Sequence, residues 1–179
     1  LNQMSTLEIL AGASTIGASD NSYVDGVVTK IGNTSFSFPV GNSGVYNPLV
    51  ISAPSVITDK FTVAYYSQDP NIAFDVTQKD PTIANISRCE YWSLNRTSGS
   101  SSVTVTAGWT AYSCNVTTPL DMRVARWDVT ESKWKDHGNG GVTGTIVAGT
   151  IVSAGTMASL GPITLANVSS ATLPIHQMG

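Results

Sequence analysis

Val103-Thr104-Val105-Thr106-Ala107-Gly108-Trp109 decides how this chain is read. Large and small apolar residues take every second position, with threonine or glycine between them. Successive side chains of an extended strand point to opposite faces, so one face of this segment meets a core and the other meets water. A helix would need apolar residues three to four apart, and the stretch offers no such spacing. The same alternation runs through Phe36, Phe38 and Val40 against Ser35 and Ser37, and through Phe61, Val63 and Tyr65 against Thr62 and Ala64.

Working outward, β-branched and aromatic enrichment predicts further strands at 26–31, 49–53, 86–97, 122–128, 142–152 and 157–165. Turn residues separate them: Gly32-Asn33, Gly41-Asn42-Ser43-Gly44, Ser98-Gly99-Ser100 and His137-Gly138-Asn139-Gly140-Gly141, the last read as a hairpin turn. Roughly ten short strands joined by turns predict an all-β fold, an antiparallel β-sandwich of jelly-roll or immunoglobulin-like type.

Composition points the same way. Charged residues are 12% of the chain, about half the usual ~25%, with Ser, Thr, Gly and Asn in their place. Only three Glu and five Lys are present, too few to cover exposed helices. The net charge of −3, with no Lys/Arg cluster, excludes a nucleic-acid surface, which needs a basic stripe to release counterions. No apolar run approaches the ~20 residues that span a bilayer as a helix, so no transmembrane segment is expected. The chain opens at Leu1 without a charged-then-apolar leader, as a mature or excised fragment would.

Cys89 and Cys114 fall 25 residues apart on neighbouring strand segments. In an oxidising compartment they would form a disulfide worth about 3 kcal/mol; the alternative is a pair of buried free thiols.

Two regions depart from the strand pattern. In residues 1–21, Leu7, Ile9 and Ala11 alternate before a run of small residues, as in a strand continuing from something upstream. Residues 67–85 carry Asp69-Pro70, Asp75, Lys79 and Asp80-Pro81, and form a long excursion between core strands. The expected organisation is therefore 1–21 as an N-terminal strand region, 22–166 as the sandwich module and 167–179 as a linker or tail.

Sites for chemistry are sparse. His137 lies in a glycine-rich turn and His176 in the tail; neither has the partners of a Ser–His–Asp site. Glu90 and Asp128 are the one carboxylate pair that could flank a glycosidic bond. Each has an arginine nearby, Arg88 and Arg126, which favours an ion-pair network over acid catalysis. No cofactor motif is present. Calcium is the metal its oxygen-bearing residues suit, through Asp69, Asp75 and Asp80 or through Asp20, Asn21 and Asp25, although neither set follows the twelve-residue loop pattern. Tyr66, Trp92, Trp109 and Trp127 are the aromatic candidates for a sugar-binding platform; their commoner use is to fill the space between sheets.

Several segments taken together carry a resemblance: SYVDG (22–26) with Lys30-Ile31-Gly32, FSFPVG (36–41), YNPLVISAPS (46–55), EYWSLNR (90–96), VARWD (124–128) followed by Trp134, and Leu160-Gly161-Pro162. In order and spacing they resemble a β-rich module of exported and cell-surface Bacteroidota proteins that typically precedes a type IX secretion sorting domain. The resemblance implies an extracellular or outer-membrane-surface location and an accessory role beside neighbouring domains of one parent protein. It carries over no catalytic residue. The sorting tail does not follow Leu173-Pro174-Ile175, and the cysteine pair is not part of the family pattern.

The resulting expectation is a non-catalytic structural or adhesion module, not an enzyme, with polysaccharide or other surface components as partners. A carbohydrate-binding module and a small jelly-roll glycosidase are the alternatives.

Overall fold

In the computed structural model, which describes residues 5–168, the alternating segments are strands and no described residue lies in an α-helix. The strands are β1 (Ser5–Ile9), β2 (Gly26–Ile31), β3 (Phe36–Phe38), β4 (Gly41–Asn42), β5 (Val45–Tyr46), β6 (Leu49–Ile51), β7 (Lys60–Tyr66), β8 (Asn85–Ile86), β9 (Tyr91–Ser98), β10 (Val105–Trp109), β11 (Met122–Asp128), β12 (Lys133–Asp136), β13 (Gly141–Gly144), β14 (Gly149–Val152) and β15 (Gly161–Asn167). Two single-turn 3-10 helices, Pro70–Ile72 and Pro119–Asp121, begin at proline, whose missing N–H costs nothing at a helix start.

The described residues hold fifteen strands against the expected ten, because two predicted strands are broken and three short ones, β4, β5 and β12, lie outside the predicted set. The 142–152 segment is a hairpin, β13 and β14, that turns through 145–148; Gly144, which ends β13, has φ +87°, a conformation that glycine adopts without a Cβ penalty. The 86–97 segment splits at 87–90, where Cys89 is tied to Cys114 and Glu90 turns inward. The expected turn at 41–44 is present as Ser43-Gly44, both at positive φ, and it joins the short strands β4 and β5.

Two sheets dominate. The larger runs β1-β2-β7-β9-β15-β11-β12, with β8 also on β15; the smaller runs β13-β14-β10-β6-β3. All pairings between these strands are antiparallel except that of β1, which lies parallel to β2 at the edge of the larger sheet. The residues assigned to a separate N-terminal region thus contribute an edge strand to the same sheet.

Period two now explains burial. Val28, Phe61, Val63, Tyr65, Trp92, Leu94, Val124, Ile163 and Leu165 of the larger sheet share one cluster with Phe36, Phe38, Leu49, Ile51, Val105, Ala107, Trp109 and Ile151 of the smaller. Burying side chains of this size contributes roughly 1.5–3 kcal/mol each. The register pairs Tyr65 with Trp92 and Tyr66 with Tyr91, so Tyr65 faces the other sheet while Tyr66 stacks on Tyr91 on the outer face.

The His137–Gly141 segment corrects the hairpin expectation. Its preceding strand β12 pairs with β11 in the larger sheet, and its following strand β13 pairs with β14 in the smaller. The segment is a crossing from one sheet to the other.

Candidate functional site

The excursion at 67–84 is the longest segment between strands in the larger sheet, and its side chains cover that sheet's outer face. Phe74 and Val76 pack on a second apolar cluster of Ile83, Ile86, Ala125, Trp134 and Ala166, with Trp127 beside them. The chain then follows the outer edge of β12, where Trp134 N donates to Gln78 O and Asp80 N donates to Trp134 O, both at 2.8 Å. An edge that would otherwise show unpaired backbone groups is closed.

Each carboxylate proposed for calcium has a structural partner instead. Asp69 caps the Pro70–Ile72 turn through Asn71 N (2.9 Å) and pairs with Arg88 at 2.7 Å. Burial alone would raise its pKa; the Arg88 and Asn71 contacts outweigh that and hold it low. Asp75 accepts from the Thr77 hydroxyl and amide, which keep its pKa low. Asp80 accepts from Asp136 N at 3.0 Å and pairs with Lys133 at 3.2 Å. Asp20 and Asp25 are tied to Tyr46 N and Asn42 Nδ2. Among the described residues no three His, Cys, Asp or Glu side chains converge as a metal site, and Asp69, Asp75 and Asp80 make separate turn and edge contacts.

The glycosidase pair separates in the same way. Trp92, Ile163 and Arg126 stand level across β9, β15 and β11, which puts Glu90 level with Val124. Asp128 lies four residues further along β11, about 13 Å at strand rise. That exceeds the ~5–9.5 Å between the two carboxylates of a glycosidase. Arg126 Nη2 binds Asp128 Oδ2 at 2.7 Å and holds this carboxyl down at about 2. Arg88 turns to Asp69, so the expected Arg88–Glu90 pairing is corrected.

Glu90 is instead sealed in the core, 1% exposed. Its Oε2 accepts from Asn47 Nδ2 and Tyr65 Oη, both at 2.8 Å, while Oε1 has no hydrogen-bond partner among the described residues. Burial pushes its pKa up, against the opposing pull of Ser113, Tyr65 and Asn47, and pushes the Tyr65 phenol up as well. Asn47 O accepts from Trp92 Nε1 at 2.8 Å, and Thr164 Oγ1 donates to Glu90 O at 2.6 Å. Gly108 leaves the room Asn47 needs: a Cβ there would stand 2.6 Å from Asn47 Oδ1. Alternation puts Tyr65 on the core face, but no motif marks the polar roles of Asn47, Tyr65 and Thr164. The one local sign was a Glu beside a Cys in a chain with only three Glu.

The disulfide between Cys89 and Cys114 is present, with Cα atoms 5.7 Å apart. It joins the residue before Glu90 to the loop that carries Ser113.

Of the platform aromatics, Trp92 (0% exposed) and Trp109 (2%) are core residues, a correction to their place in the binding set. Trp109 anchors the β13–β14 hairpin through Nε1 to Thr145 O at 2.8 Å. Trp127 is half-buried on the outer face, and so is Tyr66. A string of ring contacts joins them: Tyr66 to Tyr91 (4.7 Å), Tyr91 to Phe74 (5.5 Å) and Phe74 to Trp127 (5.7 Å). The fourth tryptophan, Trp134, is fully buried at 5.6 Å from Trp127.

A shallow open groove of about 600 Å³ lies at the crossing between the sheets, lined by Asp80, Pro81, Thr82, Asp136, His137, Gly138 and Ala154. Asp136 accepts there from Thr82 Oγ1 at 2.6 Å and from Gly138 N at 2.7 Å. His137 Nε2 accepts from Arg126 Nε at 3.2 Å. A ring nitrogen held by a guanidinium is not free to act as a base toward Thr82. His176 and the 173–175 stretch lie outside the described residues.

No helix among the described residues is long and apolar enough to cross a membrane. Compared with known proteins, the chain matches no family model, no curated protein and no solved structure.

Proposed function

We propose that the chain is a non-catalytic structural or adhesion-type module, a β-sandwich of an exported cell-surface protein of the Bacteroidota kind. The observation that carries this reading is the use made of the residues best suited to chemistry. Asp69, Asp80 and Asp128 are ion-paired, Glu90 is sealed between the sheets, and Trp92 and Trp109 are core. A disulfide and a closed sheet edge add to a build in which few segments open locally, which suits a spacer exposed to proteases. The outer-surface location and the association with a type IX sorting domain rest on the sequence resemblance alone.

A second reading, carbohydrate binding, keeps one specific support: the half-buried Trp127 in the outer-face ring string. Affinity electrophoresis against soluble and insoluble glycans, run beside a broad glycan-hydrolysis screen, tests both. The structural reading expects unretarded migration and no sugar release. Retardation that Trp127→Ala abolishes would favour the binding module, and reducing-sugar release would overturn the non-catalytic reading. Labelling of intact cells displaying the parent protein with a membrane-impermeant amine reagent tests location, with a surface protein expected to be labelled.

A further inference from the structure

The crossing at residues 137–140 is bonded to both sheets. His137 N donates to Val124 O (2.9 Å) and Val124 N to Gly138 O (3.0 Å) on the larger sheet. On the other side Gly140 N donates to Val152 O (2.8 Å) and Ala154 N to His137 O (2.9 Å). The seam has little slack: a Cβ on Gly138, whose φ is +74°, would meet Ala154 Cβ at 2.7 Å. The His137 side chain sits at the centre of this seam, against Arg126.

We propose that the Arg126–His137 contact is an acid-sensitive latch: neutral His137 holds the crossing against β11, and protonation turns the ring out into the Asp80–Asp136 groove and loosens the seam. Arg126 is buried, at 6% exposed. Its guanidinium donates to Asp128 Oδ2 (2.7 Å), Trp127 O (3.1 Å) and His137 Nε2 (3.2 Å). Only an unprotonated ring nitrogen can accept the third bond. Protonation replaces that acceptor with a donor and sets two cations side by side where little water screens them.

The charged groups around His137 are few. β11 supplies Arg126 and its partner Asp128, β12 supplies Asp136 and Lys135, and the excursion supplies Asp80. The segment after β14 contributes the uncharged Ser153 and Ala154. Burial first, and Arg126 next, lower the pKa of His137, while Asp136 and Asp80 pull upward. The inward position therefore favours the neutral ring, and the groove offers the imidazolium two carboxylates. The stability supplied by the inward ring is complete above the ordinary histidine value of ~6.5. It is lost as pH falls through the lower folded value.

The test is an NMR titration of the histidine rings in the full chain between pH 8 and 4.5. Amide exchange at 137–141 and 152–154 is followed in parallel, corrected for its intrinsic pH dependence. The His137 ring is expected to titrate below ~6.5, and those amides to exchange about tenfold faster, relative to core amides of β7 and β9, once it is protonated. His137→Gln, whose amide oxygen can still accept from Arg126, is expected to remove the acceleration. Acceleration that persists in His137→Gln would overturn the proposal. So would a wild-type ring that titrates at or above 6.5, or one that titrates with no change at those amides. The last two readings need no variant to fold.

Discussion

Tyr65 Oη donates to Glu90 Oε2 across 2.8 Å inside the core, where Asn47 supplies the second donor from the opposite side. Tyr65 and Glu90 belong to the larger sheet's β7 and the residue before β9, while Asn47 precedes β6 of the smaller sheet. The carboxyl is therefore a polar pin between sheets. It also has a defined pH behaviour, because burial raises its pKa. A raised carboxyl contributes stability that is complete below the unfolded value of ~4.3 and lost as pH rises through the folded value. Above pH ~4.3 wild type should therefore lose melting temperature relative to Glu90→Gln. A difference between the two that stays flat from pH 4 to 8 would show that Glu90 does not titrate in the fold.

Truncation asks a separate question of the same pin. Glu90→Ala leaves the Tyr65 hydroxyl without this acceptor and the Asn47 amide with only its long 3.4 Å bond to Gly108 O, at a cost of about 1–3 kcal/mol for each orphaned group. Urea unfolding is the measurement, and a loss below 1 kcal/mol would mean that the network carries little of the stability.

Trp92→Ala should be among the most damaging single changes, about 3–5 kcal/mol, since it opens a core cavity and removes the bond to Asn47 O. Trp127→Ala, at a half-buried ring, should cost clearly less. Equal losses in urea titrations would contradict the different burial of the two indoles.

Reduction of Cys89–Cys114, or Cys89→Ser with Cys114→Ser, should lower unfolding stability by about 3 kcal/mol through the freed 25-residue separation. Thiol titration of the untreated, denatured chain should find no reactive thiol from this pair; two reactive thiols would refute the bridge.

Gly138→Ala should destabilise the crossing on two counts, the left-handed backbone at φ +74° and the Cβ collision with Ala154. A loss of roughly 1–3 kcal/mol is expected, with faster amide exchange at 152–154. An unchanged exchange pattern would show that the seam is less tight than its geometry implies.

Much of the fold was legible in residues alone. The strands predicted at 26–31 and 122–128 agree with β2 and β11 to the residue, because alternation and β-branching are local properties. The 142–152 prediction failed at its turn because uncharged, glycine-bracketed residues read as continuous with the strands around them. The hairpin reading of 137–141 failed for another reason. A glycine-rich turn fixes a change of direction, and it does not say whether the next strand rejoins the same sheet or the other one.

The candidate site was less legible still. Glu90 and Asp128 fall on predicted strands that could face one another, yet register holds them apart. Trp92 and Trp109, candidates for a surface platform, follow the commoner use of tryptophan and fill the interior. Asn47, Tyr65, Arg126 and His137 acquire their roles from partners 11 to 43 residues away.

Composition and period-two patterning are carried by neighbours along the chain, and they established an all-β molecule with an apolar and a polar side to each strand. Which strands pair, which side of a sheet the excursion covers, and which carboxylates meet a cation depend on contacts between distant residues. Those contacts form when two sheets exclude water from a shared interior. That exclusion leaves Glu90 with a phenol and an amide for company and gives Arg126 a neutral imidazole to hold.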